Sequence, residues 1–245
     1  MTTSAFLQRY LGCAGWSLPR EQWPRFQAEG GHLVRYASRF NAVEINSSFY
    51  RPHRPETYAR WAASVPSGFR FSVKVPKQIT HEQRLRDCGP AVEAFLAQCL
   101  SLGEKLGCLL VQLPPSLAYD PETALGFFQH MRECYRGPIA LEPRHASWLQ
   151  AGELLHALQI GWVEADPNPL GEQAALGWDG LVYLRLHGSP KVYYSSYDEP
   201  RLEAVTARLA AARVPAWCIF DNTAAGAAVP DALWVYEHLS LHSEP

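Results

Sequence analysis

Short apolar runs alternate with amphipathic segments along almost the whole chain, with a repeat of about thirty residues. Strand character falls on 11–15, 42–46, 69–76, 108–113, 138–141, 161–166, 181–187 and 216–220. Helical spacing separates most of them. Leu33, Tyr36, Ala37 and Phe40 place a helix over 32–40, and Phe95, Leu96, Cys99, Leu102 and Leu106 place one over 91–106, with Gly107 as its expected stop. Further helices are expected from Pro55, after Asp120-Pro121, over 152–158, over 199–213 and from Pro230. Asp120 suits an N-cap because its carboxylate can accept an orphan first-turn N–H, and Pro121 lacks the N–H that would go unpaired there. Residues 77–89 read as a long loop, and the connection 167–180 lacks helical periodicity.

A strand-then-helix repeat requires a parallel sheet with crossover helices. Eight such units in 245 residues predict a (β/α)8 TIM-like barrel, one domain over 1–245, irregular only after the sixth strand. An open doubly wound sheet would be expected to show a Gly-rich phosphate turn or a six-strand count, and neither is present.

The polar residues inside the strands change this picture. If the aliphatic positions face the outer helices, then Glu44, Asn46, Ser72, Lys74, Gln112, Glu142, Arg144, Glu164, Asp166, Arg185 and His187 all face the barrel axis. Barrel interiors are normally filled by bulky apolar layers. Lys74, Arg144 and Arg185 could simply neutralise Glu44, Glu142 and Asp166. Buried ion pairs are weak stabilisers, however, and the C-terminal mouth is where barrel enzymes hold their sites, so a functional pocket is the expectation.

Composition narrows the partners. The formal net charge of −2 gives no support for strong nonspecific nucleic-acid binding. Six scattered cysteines without a C-x-x-C pair suit free thiols in the cytoplasm. No apolar run is long enough to cross a bilayer, and the first residues lack the basic-then-apolar pattern of a secretory leader.

Glu142, His145, Asp166 and His187 are the candidate catalytic residues: two imidazoles that titrate near neutrality and two carboxylates able to charge or orient them. Trp16, Glu44, Asn46, Tyr50, Lys74, Gln112, Arg144, Trp148, Arg185, Tyr194 and Asn222 are the candidate substrate-binding residues. Lys74 suits a base or a Schiff-base amine if desolvated beside Arg144 or Arg185. A divalent metal on Glu44, Glu142, Asp166 and His187 is the less favoured expectation, since no compact ligand motif supports it and His81-Glu82 lacks the second histidine of a zinc-protease helix. Surplus guanidinium groups argue for a small anionic substrate, phosphorylated or sugar-containing, handled by acid–base or hydrolytic chemistry. The alternative is a noncatalytic nucleic-acid-binding module whose basic mouth is formed by Lys74, Lys77, Arg51, Arg54, Arg84 and Arg86.

Several motifs in order carry a family resemblance: Gly15-Trp16-Ser17, the stretch from Phe40 to Arg51, Phe71-Ser72-Val73-Lys74, Thr80-His81, Gln112-Leu113-Pro114-Pro115, Glu142-Pro143-Arg144-His145-Ala146-Ser147-Trp148, Asp166, Tyr183 to Gly188, and Tyr194 to Tyr197. The chain resembles the YecE-like family, a domain of unknown function. The resemblance implies a (β/α)8 barrel and no particular reaction. One departure falls at the end of the eighth strand, where the family's usual Phe-Asn-Asn type motif is replaced by Phe220-Asp221-Asn222-Thr223, which leaves the role of Asp221 open.

Overall fold

The computed structural model describes residues 8–171 and 176–241. Eight parallel strands form a nearly closed barrel: β1 Arg9–Cys13, β2 Ala42–Ile45, β3 Arg70–Lys74, β4 Leu106–Gln112, β5 Ile139–Glu142, β6 Ile160–Asp166, β7 Val182–Leu186 and β8 Ala216–Phe220. Parallel ladders join β2 to β8 in order and β8 to β1, and a single bridge, Ala14 with Glu44, links the edge of β1 to β2. Helices cover the outside: α1 His32–Tyr36, α2 Ser47–Tyr50, α3 Pro55–Ala63, α4 Gly89–Cys99, α5 Pro121–Cys134, α6 Gly152–Ala157, α7 Glu199–Ala210 and α8 Ala228–Leu241. The (β/α)8 expectation therefore holds. Asp120 caps α5 through a 2.8 Å bond from the Thr123 N–H, as its position before Pro121 predicts.

Two local expectations differ. The helix expected over 91–106 ends at Cys99, and a short 3-10 turn, Leu100–Lys105, leads into β4. Gly107 is not a helix stop but lies inside β4, where a side chain would collide with Trp217: a Cβ there would sit 2.6 Å from the indole. The connection after β6 contains no helix among the described residues, and 172–175 of it lie outside them.

The seam between β1 and β2 is closed chiefly by side chains. The Tyr36 hydroxyl accepts from the Cys13 N–H at 2.7 Å and donates to the Ala42 carbonyl at 2.8 Å. Asn41 bridges the same gap, accepting from Leu11 N–H and donating to the Arg9 carbonyl. Only toward the mouth do the backbones meet directly, where the Gly15 N–H donates to the Glu44 carbonyl at 2.9 Å. Gly12 permits this approach, since a Cβ there would lie 1.9 Å from the Ala42 carbonyl oxygen.

Two apolar layers result. Aliphatic and aromatic residues on the outer strand faces pack against the helices, as Phe71 and Val73 do on β3. Inside the barrel, the floor is aromatic: Trp217 stacks parallel to Tyr183 at 5.9 Å and contacts Tyr10 at 4.6 Å, with Leu110, Ala140, Val163 and Ile219 around them. Above this dry floor, at the C-terminal ends of the strands, the interior becomes charged. Of the six cysteines, all free, five are buried and Cys134 is exposed.

Candidate functional site

Arg185, on β7, is fully buried and forms the hub of the charged layer. Its Nε and Nη2 grip the Glu44 carboxylate of β2 at 2.8–3.2 Å. Its Nη1 donates to Glu142 of β5 at 3.0 Å and to Gln112 of β4 at 3.2 Å, and its Nη2 lies 2.9 Å from Asp221 after β8. Glu44 also receives the Tyr183 hydroxyl at 2.8 Å, and that phenol lies 2.8 Å from Ser72 Oγ. Because a carboxylate can only accept, the phenolic proton goes to Glu44 and the Ser72 hydroxyl donates to the phenol. Three strands, β2, β4 and β5, and the end of β8 are thus tied to β7 through one guanidinium.

His187 lies at the mouth between two acids, Nδ1 3.0 Å from Asp221 and Nε2 3.1 Å from Glu142. Burial opposes charge on this imidazole, but the hydrogen bonds to Asp221 and Glu142 outweigh it and raise its pKa. Burial pushes the opposite way on Glu142, yet Arg185 and then His187 hold that carboxyl well below the usual carboxylate range. Asp221 is lowered in the same manner, Arg185 overcoming burial. Each ring nitrogen of His187 thus faces a carboxylate, an arrangement that favours the protonated ring, although Arg185 Nη1 also lies 3.4 Å from Nε2. The residue at the departure from the family motif sits at the centre of this arrangement, and its negative charge is one of the two that keep His187 protonated.

Lys74 completes the layer from β3. It is 7 % exposed, and among the described residues its ammonium has no hydrogen-bond acceptor and no carboxylate partner; it rests 4.3 Å above the Phe49 ring. Burial pushes its pKa down to about 8, Arg185 adds to the effect, and Glu44, Asp221 and Glu142 offset only part of it. Three carboxylates thus face four cationic groups, Arg185, His187, Lys74 and Arg144. Arg144, at the rim, donates to Glu142 Oε1 at 2.9 and 3.1 Å and to the Tyr193 hydroxyl at 3.4 Å. Asn46 donates to Asp221 at 3.2 Å while its own Oδ1 is buried without a partner. Beside it opens a cavity of about 450 Å³ lined by Gly15, Trp16, Asn46 and Ser47. Two larger hollows, of about 720 and 690 Å³, contain none of this charged layer: one lies between α2 and α4, the other on the N-terminal face near β1. Chemistry, not hollow size, distinguishes the mouth.

Glu44, Asn46, Lys74, Gln112, Glu142, Arg144, Arg185 and His187 are brought together as their strand parity predicts. Asp166 and Glu164 are not. Val163 of β6 joins the inner apolar layer, so the alternating acids turn outward, where Asp166 pairs with Arg201 and Glu164 with Arg208, both on α7. His145 is engaged in a local cap, its Nδ1 accepting from the Ser147 N–H at 3.2 Å and lying 2.8 Å from Ser147 Oγ. Trp148 is a core anchor, 1 % exposed and donating to the Leu117 carbonyl at 2.9 Å, and not a mouth aromatic. Tyr50 and Tyr194 are exposed at 79 % and 48 %, clear of the charged layer. Asn222 donates to Ser195 O and Asp231, fastening the loop after β7 to α8. In the candidate basic mouth, Lys77 pairs with Glu82 and Arg84 donates to Ser116. Sequence reasoning did not list Ser72, Tyr183, Asp221, Phe49 or Tyr193 as site residues. Strand parity already pointed Ser72 and Tyr183 inward. Phe49 and Tyr193 belong to segments that the sequence places at the mouth, and the fold beyond the strand ends brings them and Asp221 to the charged layer. The carboxylates are committed to internal cations, and among the described residues no group of three His, Cys, Asp or Glu side chains is arranged to hold a metal ion.

The model of a protein family of unknown function, DUF72, matches residues 10–245. The chain belongs to the DUF72 family. The UPF0759 protein YecE of Escherichia coli K12 is 32 % identical over 154 residues, and YunF of Bacillus subtilis is 28 % identical over 179; these matches cover 62 % and 66 % of the chain. They span only 54 % of YecE and 62 % of YunF. A DUF72 crystal structure from Enterococcus faecalis superposes with a TM-score of 0.78 at 22 % identity, covering 95 % of this chain and 96 % of that one. One from Thermotoga maritima gives 0.77 at 24 % identity, covering 95 % and 99 %. These agree with the DUF72 barrel seen here. Among the described residues, no helix is long and apolar enough to cross a membrane.

Proposed function

We propose that the C-terminal mouth of this DUF72 protein is the active site of an enzyme that binds a small anionic substrate and acts on it by acid–base chemistry. The observation that carries this reading is Lys74, a buried ammonium without a carboxylate partner in a layer whose acids are already neutralised. A cation largely withdrawn from water, with no acid bonded to it and only partial compensation from Glu44, Asp221 and Glu142, is unfavourable, and is expected to be retained where a ligand anion completes it. Arg144 at the rim offers two-pronged recognition of a carboxylate or phosphate, and Asn46 adds an amide. Glu142 and His187 form the acid–base pair, sharing a proton across 3.1 Å. Asp221 orients the imidazole from the far side.

A thermal-shift screen of phosphates, sugar phosphates and organic acids tests this. A ligand present at a hundred times its Kd adds about 2.7 kcal/mol of stability. At least one anion should raise the melting temperature of the wild type by several degrees and fail to do so for Lys74→Met. No rise with any member of a broad set, or an equal rise in Lys74→Met, would refute the anion site.

A further inference from the structure

We infer that Lys74 is a nucleophilic amine that condenses with the carbonyl carbon of a small anionic aldehyde or keto acid, its side chain held over Phe49 without an acid partner, in the same charged mouth as Arg144. This deepens, and rests on, the reading of the mouth as an anion site. A lysine kept for structure in a layer containing Glu44, Glu142 and Asp221 would be expected to pair with one of them. Here all three are taken: Glu44 and Asp221 by Arg185, Glu142 by Arg185, Arg144 and His187. The Phe49 face steadies the ammonium without accepting a hydrogen bond from it. Loss of a proton therefore leaves a nitrogen lone pair that no described neighbour engages. Near pH 8 about half of such a group is free amine, against about one in 250 for an exposed lysine of ordinary pKa.

The step balances without an oxidant or reductant. The amine nitrogen bonds to the carbonyl carbon, the carbon–oxygen bond breaks, and the oxygen leaves as water with two protons from the original ammonium. A protonated imine remains on Lys74. Its positive charge draws electrons from the adjacent carbon and so acidifies a C–H bond there.

Reductive trapping is decisive because the chain has four lysines, Lys74, Lys77, Lys105 and Lys191, which peptide mapping separates. The full chain is treated with glyoxylate and borohydride near pH 8. Lys74 should carry the carboxymethyl group at a level at least about tenfold above the exposed Lys77 and Lys191, and above Lys105, whose ammonium donates to the Ala62 and Val65 carbonyls. Arg144→Met should reduce this labelling with glyoxylate but not with formaldehyde, which has no carboxylate to recognise. Label spread evenly over the lysines, or absent from Lys74 with both carbonyls, would overturn the proposal. Oxalate, which has no reactive carbonyl, separates the two readings. If it stabilises the wild type and Lys74→Arg while nothing is trapped at Lys74, the anion site stands and the amine chemistry falls. If oxalate has no effect and nothing is trapped, both fall. Should Lys74→Arg not fold, mapping of the wild type alone decides the amine chemistry.

Discussion

Arg185 and Glu44 form a two-pronged ion pair across the barrel interior, both side chains fully buried, with Nη2 2.8 Å from Oε1 and Nε within 3.2 Å of both carboxylate oxygens. The pair joins β7 to β2, strands on opposite arcs of the sheet. Removing Arg185 takes the cation from a fully buried Glu44, and removing Glu44 takes one of the three acids from a fully buried Arg185. Arg185→Met leaves Glu44, Glu142 and Asp221 without their common cation, and Glu44→Gln leaves Arg185 overcharged. Each single change should cost roughly 3–5 kcal/mol. The double variant Glu44→Gln/Arg185→Met should lose less than the sum of the two, measured by urea unfolding, because each single variant includes the cost of an orphaned charge.

Lys74 predicts the opposite sign. Its pKa falls from 10.5 to about 8 on folding, so the buried ammonium opposes folding at neutral pH by about 3 kcal/mol at 1.36 kcal/mol per unit. Lys74→Met should raise the urea midpoint without changing the slope. In the wild type this penalty should diminish as pH rises from about 8 toward 10.5, where the folded protein has released the proton first. A loss of stability in Lys74→Met would mean that the ammonium has a partner in solution.

The His187 imidazolium gives a pH dependence whose direction depends on Asp221. Its folded pKa lies above the 6.5 of the unfolded chain, so its contribution is complete below 6.5 and is lost as pH rises through the folded value. Glu142 works in reverse: its contribution is present above 4.5 and is lost as pH falls toward its depressed folded value. Asp221→Asn removes one of the two charges that hold the proton on His187. The NMR-detected titration of the His187 imidazole should move to lower pH. An unmoved His187 titration would refute the pairing with Asp221.

In the middle of the seam between β1 and β2, one phenol bridges the two backbones. Tyr36→Phe leaves the Cys13 N–H and the Ala42 carbonyl unpaired in the interior and should cost about 1–3 kcal/mol. Gly12→Ala should cost more than about 4 kcal/mol, because its methyl would meet a backbone oxygen and neither strand can retreat without opening the barrel. Thermal unfolding of the two variants checks the order, Gly12→Ala being the less stable.

The sequence by itself determined the eight-strand repeat, because an element that buries one face must show its period locally, and period 2 on 42–46 and 108–113 cannot be hidden. It also placed Glu44, Lys74, Gln112, Glu142, Arg185 and His187 on one side, since alternation carries that information within a single strand. On β6 the same reasoning reversed. Val163 was assigned outward as an aliphatic, but the barrel floor needed an apolar residue beside Tyr183, and the outward acids found Arg201 and Arg208 more than thirty residues away. No local pattern can reveal a partner at that separation. Residues beyond the strand ends were equally illegible: Trp148 turned into the core, Asn222 fastened a loop, and Asp221 reached His187, because loop backbones obey no fixed period. The tertiary structure alone decided which charges cancel. It assigned every interior acid to Arg185, His187 or Arg144 and left Lys74 without one, a result of distances across the barrel that adjacency in the chain does not encode.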